Sequence, residues 1–210
     1  MQTIVFTLAL MISVVFTGTG QTQYQKGMEK ALTTWQSGKP LEASNIFERI
    51  ATAEADQWLP AYYIALINTI ESYQQPELEK RKAMLNKAQE YLNLAKGISP
   101  NNPELLVVEA QWYTSWVAFD GEKYGMQYAP KVAAIYQQAE QLAPENPRVA
   151  FGKLEWDMGT ARFFGQDPTE FCEALQKAIL LYDNFEATEE FYPQHGKDYG
   201  LEVIERTCKQ

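Results

Sequence analysis

AQEYLNLAKGISPNNPE (residues 88–104) and VAAIYQQAEQLAPENPR (residues 132–148) follow one rule. An apolar residue is followed by three of any kind, a large apolar residue, two more, an alanine, four more and a proline. Asn-Pro then opens another segment: Ala88, Leu92, Ala95, Pro100 and Asn102-Pro103 match Val132, Tyr136, Ala139, Pro144 and Asn146-Pro147. Steps of four and three place the first three positions on one face of a helix. The small side chain at the third lets a neighbouring helix come close. The same spacing recurs more weakly at Ala43, Phe47 and Ile50 and at Phe171, Leu175 and Ala178. From Ile50 to Ala95, Ala139 and Ala178 the steps are 45, 44 and 39 residues, which predicts four helical hairpins in succession.

The punctuation around these stretches agrees with helices. Pro40, Pro60, Pro76, Pro103, Pro130, Pro147 and Pro168 are each expected to open one, because the first turn needs no N–H from proline. Asn102, Asn146 and Asp167 stand where a side-chain cap belongs. Gly38, Gly97, Gly121 and Gly165 are expected to end helices. No alternating β-branched run that would flank a hairpin turn occurs beyond the first residues of the chain. The fold class is all-α.

The alanine–large–alanine–proline pattern resembles the second helix of a tetratricopeptide unit, and Gly38-Lys-Pro-Leu-Glu-Ala43 is similar to that family's turn between helices. The resemblance implies a right-handed solenoid of about four units, over residues 24–57, 58–101, 102–145 and 146–184, with a capping helix in 185–210. The family period is about 34 residues, so the longer steps here require added length, assigned to turns at 74–82 and 119–129. The first and fourth units carry Ala55 and Asp183 in place of the closing proline. With the apolar leader described next, the chain resembles a small exported bacterial member of that family.

Residues Ile4–Phe16 form an uncharged apolar run of 13 residues. A bilayer-spanning helix needs about 20, whereas the hydrophobic part of a signal peptide runs about 7–15. Gly18-Thr19-Gly20 offers a cleavage site, so residues 1–20 are expected to be removed after Gly20 and the remainder to be periplasmic or secreted. No Lys or Arg precedes the run, which keeps an uncleaved anchor open as the alternative. In an oxidising compartment Cys172 and Cys208 are expected to form a disulfide holding the last helix to the body, the alternative being two buried thiols.

Composition narrows the function. The 210 residues carry 18 basic and 27 acidic side chains, a net charge of −9, which argues against nucleic acid as a partner. Hydrophobic residues make up 46%, too many for a disordered acidic tail. One histidine and no metal-binding spacing lead to an expectation of no metal, no cofactor and no enzymatic activity. In the resembled family the first helix of each hairpin lines the concave surface. Counting each opening proline as position 1, position 9 is Asn68, Gln111 and Glu155, with Glu71 and Thr114 at position 12. These five residues are the candidate partner-binding positions, for an extended peptide or helix of an unidentified protein; the alternative makes them ordinary polar residues. Trp112, Tyr113 and Trp116, and Trp156, Phe163 and Phe164, fit either core or a stacking surface. The expected function is thus a non-enzymatic interaction or scaffold module, with homo-oligomerisation open. The competing expectation is a sugar or ion binder or a hydrolase using the C-terminal third, where His195 lies among carboxylates and Cys172 is its only thiol partner besides Cys208.

Overall fold

Thr22 opens the first helix with a reciprocal cap: its hydroxyl accepts from the Gln25 amide at 3.1 Å and Gln25 Oε1 accepts from the Thr22 amide at 2.8 Å. This is the start of the described part of the computed structural model, residues 22–209. The apolar run and the cleavage site after Gly20 lie outside it. Nine α-helices follow: α1 Gln23–Gln36, α2 Pro40–Ala53, α3 Trp58–Tyr73, α4 Leu78–Ile98, α5 Pro103–Phe119, α6 Gly121–Leu142, α7 Pro147–Phe163, α8 Cys172–Leu181 and α9 Lys197–Cys208, with a 3-10 turn at Pro168–Phe171 before α8. The described residues are all-helical, without a strand.

The three caps act as their residue types dictate. Asn102 accepts from the Glu104 amide, Asn146 from those of Arg148 and Val149, and Asp167 from that of Thr169. Pro40, Pro103 and Pro147 occupy the first helical position. Three prolines depart from the expectation. Pro76 lies two residues before α4, Pro60 is the third residue of α3, and Pro130 lies in the middle of α6. In the last case Asp120, whose side chain accepts from the Lys123 amide, starts the helix nine residues earlier. Gly38 and Gly165, with φ of 79° and 73°, end α1 and α7, whereas Gly97 stays inside the last turn of α4 and Gly121 begins α6. The added length at 74–82 and 119–129 therefore goes mostly into longer second helices, not into long turns.

Consecutive helices pack on one another, and α5 touches both α3 and α7. Ala88, Ala95 and Ala139 are fully or almost fully buried where α4 and α6 meet their neighbours, as are Leu92, Val132 and Tyr136. One apolar core joins α1 to α5, a second joins α5 to α7, and a third joins α7 to α9. The residues after the two Asn-Pro caps, Glu104 and Arg148, form a buried ion pair across α5 and α7, with Arg148 Nε and Nη2 donating to the two carboxylate oxygens at 2.7 and 2.6 Å. Asn146 Nδ2 adds a third donor at 2.6 Å.

Cys172 and Cys208 are bonded as a disulfide, their Cα atoms 5.8 Å apart, so the alternative of two free thiols falls. The bridge holds the end of α9 to the start of α8. Residues 183–196, which lead into the stretch expected to cap the array, run back to the first hairpins. Glu189 accepts from Trp58 Nε1 at 2.9 Å, the Phe191 carbonyl accepts from the Tyr63 hydroxyl at 2.8 Å, and Tyr192 packs edge-on against Trp58. Phe191 sits at φ 64°, a conformation that L side chains rarely adopt, held there by that carbonyl bond and by the Tyr24 ring.

Candidate ligand-binding cleft

α3, α5 and α7 each turn one face to a common space. On α3 that face is Tyr62, Leu66, Ile70 and Tyr73; on α5 it is Val107, Gln111, Thr114 and Ala118; on α7 it is Phe151, Glu155 and Gly159. The spacings of three and four are those of a single helical stripe. The N-terminal half of α6 contributes Gly125 and Met126, the returning segment contributes His195 and Gly196, and α9 contributes Tyr199. Together they enclose a cleft of about 1320 Å³ with mainly apolar walls. That is larger than the roughly 300–1,000 Å³ usual for small-ligand sites.

Of the five positions singled out by counting from prolines, Gln111, Thr114 and Glu155 line this cleft, and Asn68 and Glu71 do not. Asn68 is buried, its amide donating to Ser44 Oγ at 2.9 Å and to the Ile64 carbonyl at 2.8 Å. The cause is a slip of register. α3 begins at Trp58, so Pro60 is its third residue and not its first. Counted from Trp58, positions 5 and 9 become Tyr62 and Leu66, which face the cleft as Val107 and Gln111 do on α5. The row of three polar residues is therefore replaced by Leu66, Gln111 and Glu155.

The polar groups are few and mostly committed. Tyr199 donates its hydroxyl to Glu155 Oε1 at 2.6 Å. Burial raises the Glu155 carboxyl above the usual range, opposed by that bond and by the charges of Arg206 and Arg162. Thr114 turns its hydroxyl back to the Ala110 carbonyl. Gln111 Oε1 is buried with no hydrogen-bond partner among the described residues. Burial pushes the Tyr62 and Tyr73 phenols well above their ordinary value and Tyr182 up to about 12. Burial and the positive charge of Arg148 push the His195 imidazole down to about 3, so it is neutral at physiological pH.

The aromatic residues divide between the two roles. Trp112 donates Nε1 to the Leu85 carbonyl and Trp116 packs on Tyr124, both as structure. Trp156, Phe163, Phe164 and Met126 line the cleft, the two phenylalanines 68% and 71% exposed and Met126 92%. Large apolar side chains so placed mark a contact surface. The sequence had no local signal for Tyr62, Leu66 or His195 as neighbours, because the first two depend on where α3 starts and the last on a chain reversal. With Cys172 in the disulfide, a Cys172–His195 nucleophile pair is ruled out. No group of three His, Cys, Asp or Glu among the described residues is arranged to hold a metal ion.

No family model matches the chain, and no curated protein matches it. Among solved structures it is similar to the HusA haemophore from Porphyromonas gingivalis, with a TM-score of 0.77 at 19% sequence identity, over 90% of this chain and 94% of that one. At this identity the likeness establishes a shared helical fold over nearly the whole length of both chains. No helix among the described residues is long and apolar enough to cross a membrane.

Proposed function

We propose that the chain is an exported, non-enzymatic carrier that takes up haem or a related porphyrin in the cleft. The observation that carries this is the cleft itself: about 1320 Å³ with apolar walls on three helices and an aromatic mouth, in a fold that a haemophore shares. A porphyrin presents two broad apolar faces, and their removal from water between Leu66, Val107 and Phe151 supplies the driving force. Bound haem would supply an iron centre. The residues fit such a ligand, since the cleft offers a neutral imidazole and an unpartnered amide oxygen, on His195 and Gln111, beside its apolar walls. Gln111, Thr114 and Glu155 are assigned to the polar edge of the ligand. Export, cleavage after Gly20 and the tetratricopeptide-like stacking of four units belong to the same reading, supported by the disulfide and by the four successive helix pairs. The exposed Phe163 and Phe164 favour a second reading, in which the mouth of the cleft holds an apolar segment of a partner protein.

Gly159 gives the decisive variant. It lines the cleft, and a Cβ placed there meets nothing within 4 Å. Gly159→Trp is expected to fill the cleft without disturbing the helices, leaving the thermal midpoint within a few degrees. Titration with haem and with metal-free protoporphyrin, followed by absorbance and by quenching of tryptophan fluorescence, should give saturable binding to the wild type. The variant should bind both at least about tenfold more weakly, a loss of roughly 1.4 kcal/mol or more. Failure of the wild type to bind either porphyrin overturns the proposal.

A further inference from the structure

We infer a second binding site, for one carboxylate or phosphate group, in the groove between α7 and α9. It borders the cleft, sharing Glu155 and Tyr199 with it, but does not depend on a porphyrin occupying that cleft.

Two helical stripes face each other here. α7 supplies Glu155, Met158 and Arg162, at steps of three and four; α9 supplies Tyr199, Val203 and Arg206, at steps of four and three. With Thr207 they enclose about 340 Å³, room for an acid group on a short stem. Met158 and Val203 are buried and give the groove an apolar base. Charge contacts made beside such a surface are stronger than in open water.

The charges of the lining are unbalanced. It carries two guanidinium groups, on Arg162 and Arg206, against one carboxylate, that of Glu155. Glu155 is already engaged, since its Oε1 accepts from the Tyr199 hydroxyl at 2.6 Å. The acidic side chains of α9, Asp198, Glu202 and Glu205, are not part of the lining. In a chain of net charge −9 this positive excess is a local arrangement and does not follow from composition. One anionic group would neutralise it.

The two cations are also held in position. Arg162 Nη2 donates to Thr207 Oγ1 at 3.0 Å, and Thr207 is only 5% exposed. That bond orients a planar fork of five N–H groups, which grips a carboxylate or phosphate in two places. Arg206 hydrogen-bonds the Tyr199 hydroxyl. The disulfide at Cys208, next to Thr207, fixes this end of α9, so the arginines are set before a ligand arrives. Two sources can bring the acid group: a free anion, or an acid side chain of a molecule in the neighbouring cleft.

The test compares the wild type with Arg162→Gln/Arg206→Gln and with each single variant. Both arginines are exposed, so all variants should keep the wild-type thermal midpoint within a few degrees. Inorganic phosphate and acetate are titrated at constant ionic strength, with backbone amide shifts followed by NMR. Protoporphyrin and its dimethyl ester are titrated by quenching of tryptophan fluorescence. A free anion is expected to shift residues 155–162 and 199–207 saturably in the wild type and not in the double variant. A tethered acid is expected to make protoporphyrin bind at least about fivefold more tightly than its ester, a difference the double variant loses. Either result supports the site, and the one that appears identifies the source; each single variant should weaken it. The site is overturned if neither effect appears, or if those that appear persist in the double variant. If neither porphyrin binds the wild type, the cleft reading fails, and the phosphate and acetate titrations alone decide this site.

Discussion

Arg148→Leu is expected to destabilise the protein by about 3–5 kcal/mol, the range found when one member of a buried ion pair is removed. The partner left behind, Glu104, has no solvent exposure, and Arg148 is only 5% exposed. Among the described residues Arg148 supplies two hydrogen bonds and the only cation to the Glu104 carboxylate, so the variant leaves a buried charge with no counter-charge and only neutral donors such as Asn146 beside it. The guanidinium also stacks over the Phe185 ring at 4.5 Å, which holds the returning segment to α7. The double variant Glu104→Leu/Arg148→Leu should regain most of the loss, because a well-packed apolar pair avoids both desolvation terms. Urea denaturation of the two single variants and the double one checks this. Additive losses in the cycle would show that the pair is not coupled.

Removal of the disulfide has an effect of similar size. Cys172 and Cys208 are 36 residues apart in sequence, and closing a loop of that length lowers the entropy of the unfolded chain by an amount worth about 4 kcal/mol. Cys172→Ser/Cys208→Ser, or reduction of the wild type, should lower the thermal midpoint by roughly 8–16 °C. The loss should begin locally. α9 contributes a single buried apolar side chain, Val203, to the core it shares with α7 and α8, so hydrogen exchange in residues 197–208 should accelerate before exchange in α3 or α5 does. A reductant-independent midpoint would refute a stabilising bridge.

Helical class, caps and the buried faces of α4 and α6 were legible in the sequence because they depend on local rules. Asn102 and Asn146 precede prolines and cap whatever follows; Leu92, Ala95, Tyr136 and Ala139 recur at helical steps. The cleft was legible only where the local rule was correct. Pro103 and Pro147 do begin their helices, so counting from them reaches Gln111 and Glu155, which line the cleft; Pro60 does not, and the same count reaches Asn68, an internal hydrogen-bonding residue. Two features had no local signal. The Glu104–Arg148 pair joins residues 44 positions apart in sequence, although each stands directly after an Asn-Pro cap in the two quoted stretches. The placement of His195 against Trp35 depends on a reversal of the chain through Phe191, whose left-handed backbone no residue preference would suggest.

That reversal gives the protein a fixed count of units. An open array gains or loses a hairpin at its end with little effect on the others. Here the segment from Asp183 to Gly196 must span the interval from α8 back to Trp58 and Tyr63, so inserting or deleting one hairpin would leave it too short or too slack. It also sets an order of assembly. The stretch bearing His195 is synthesised after α8, yet it docks on Trp35 of α1 and beside Trp58 and Tyr63 of α3. A chain made from its N-terminus completes the cleft only when this later stretch has met the first hairpins.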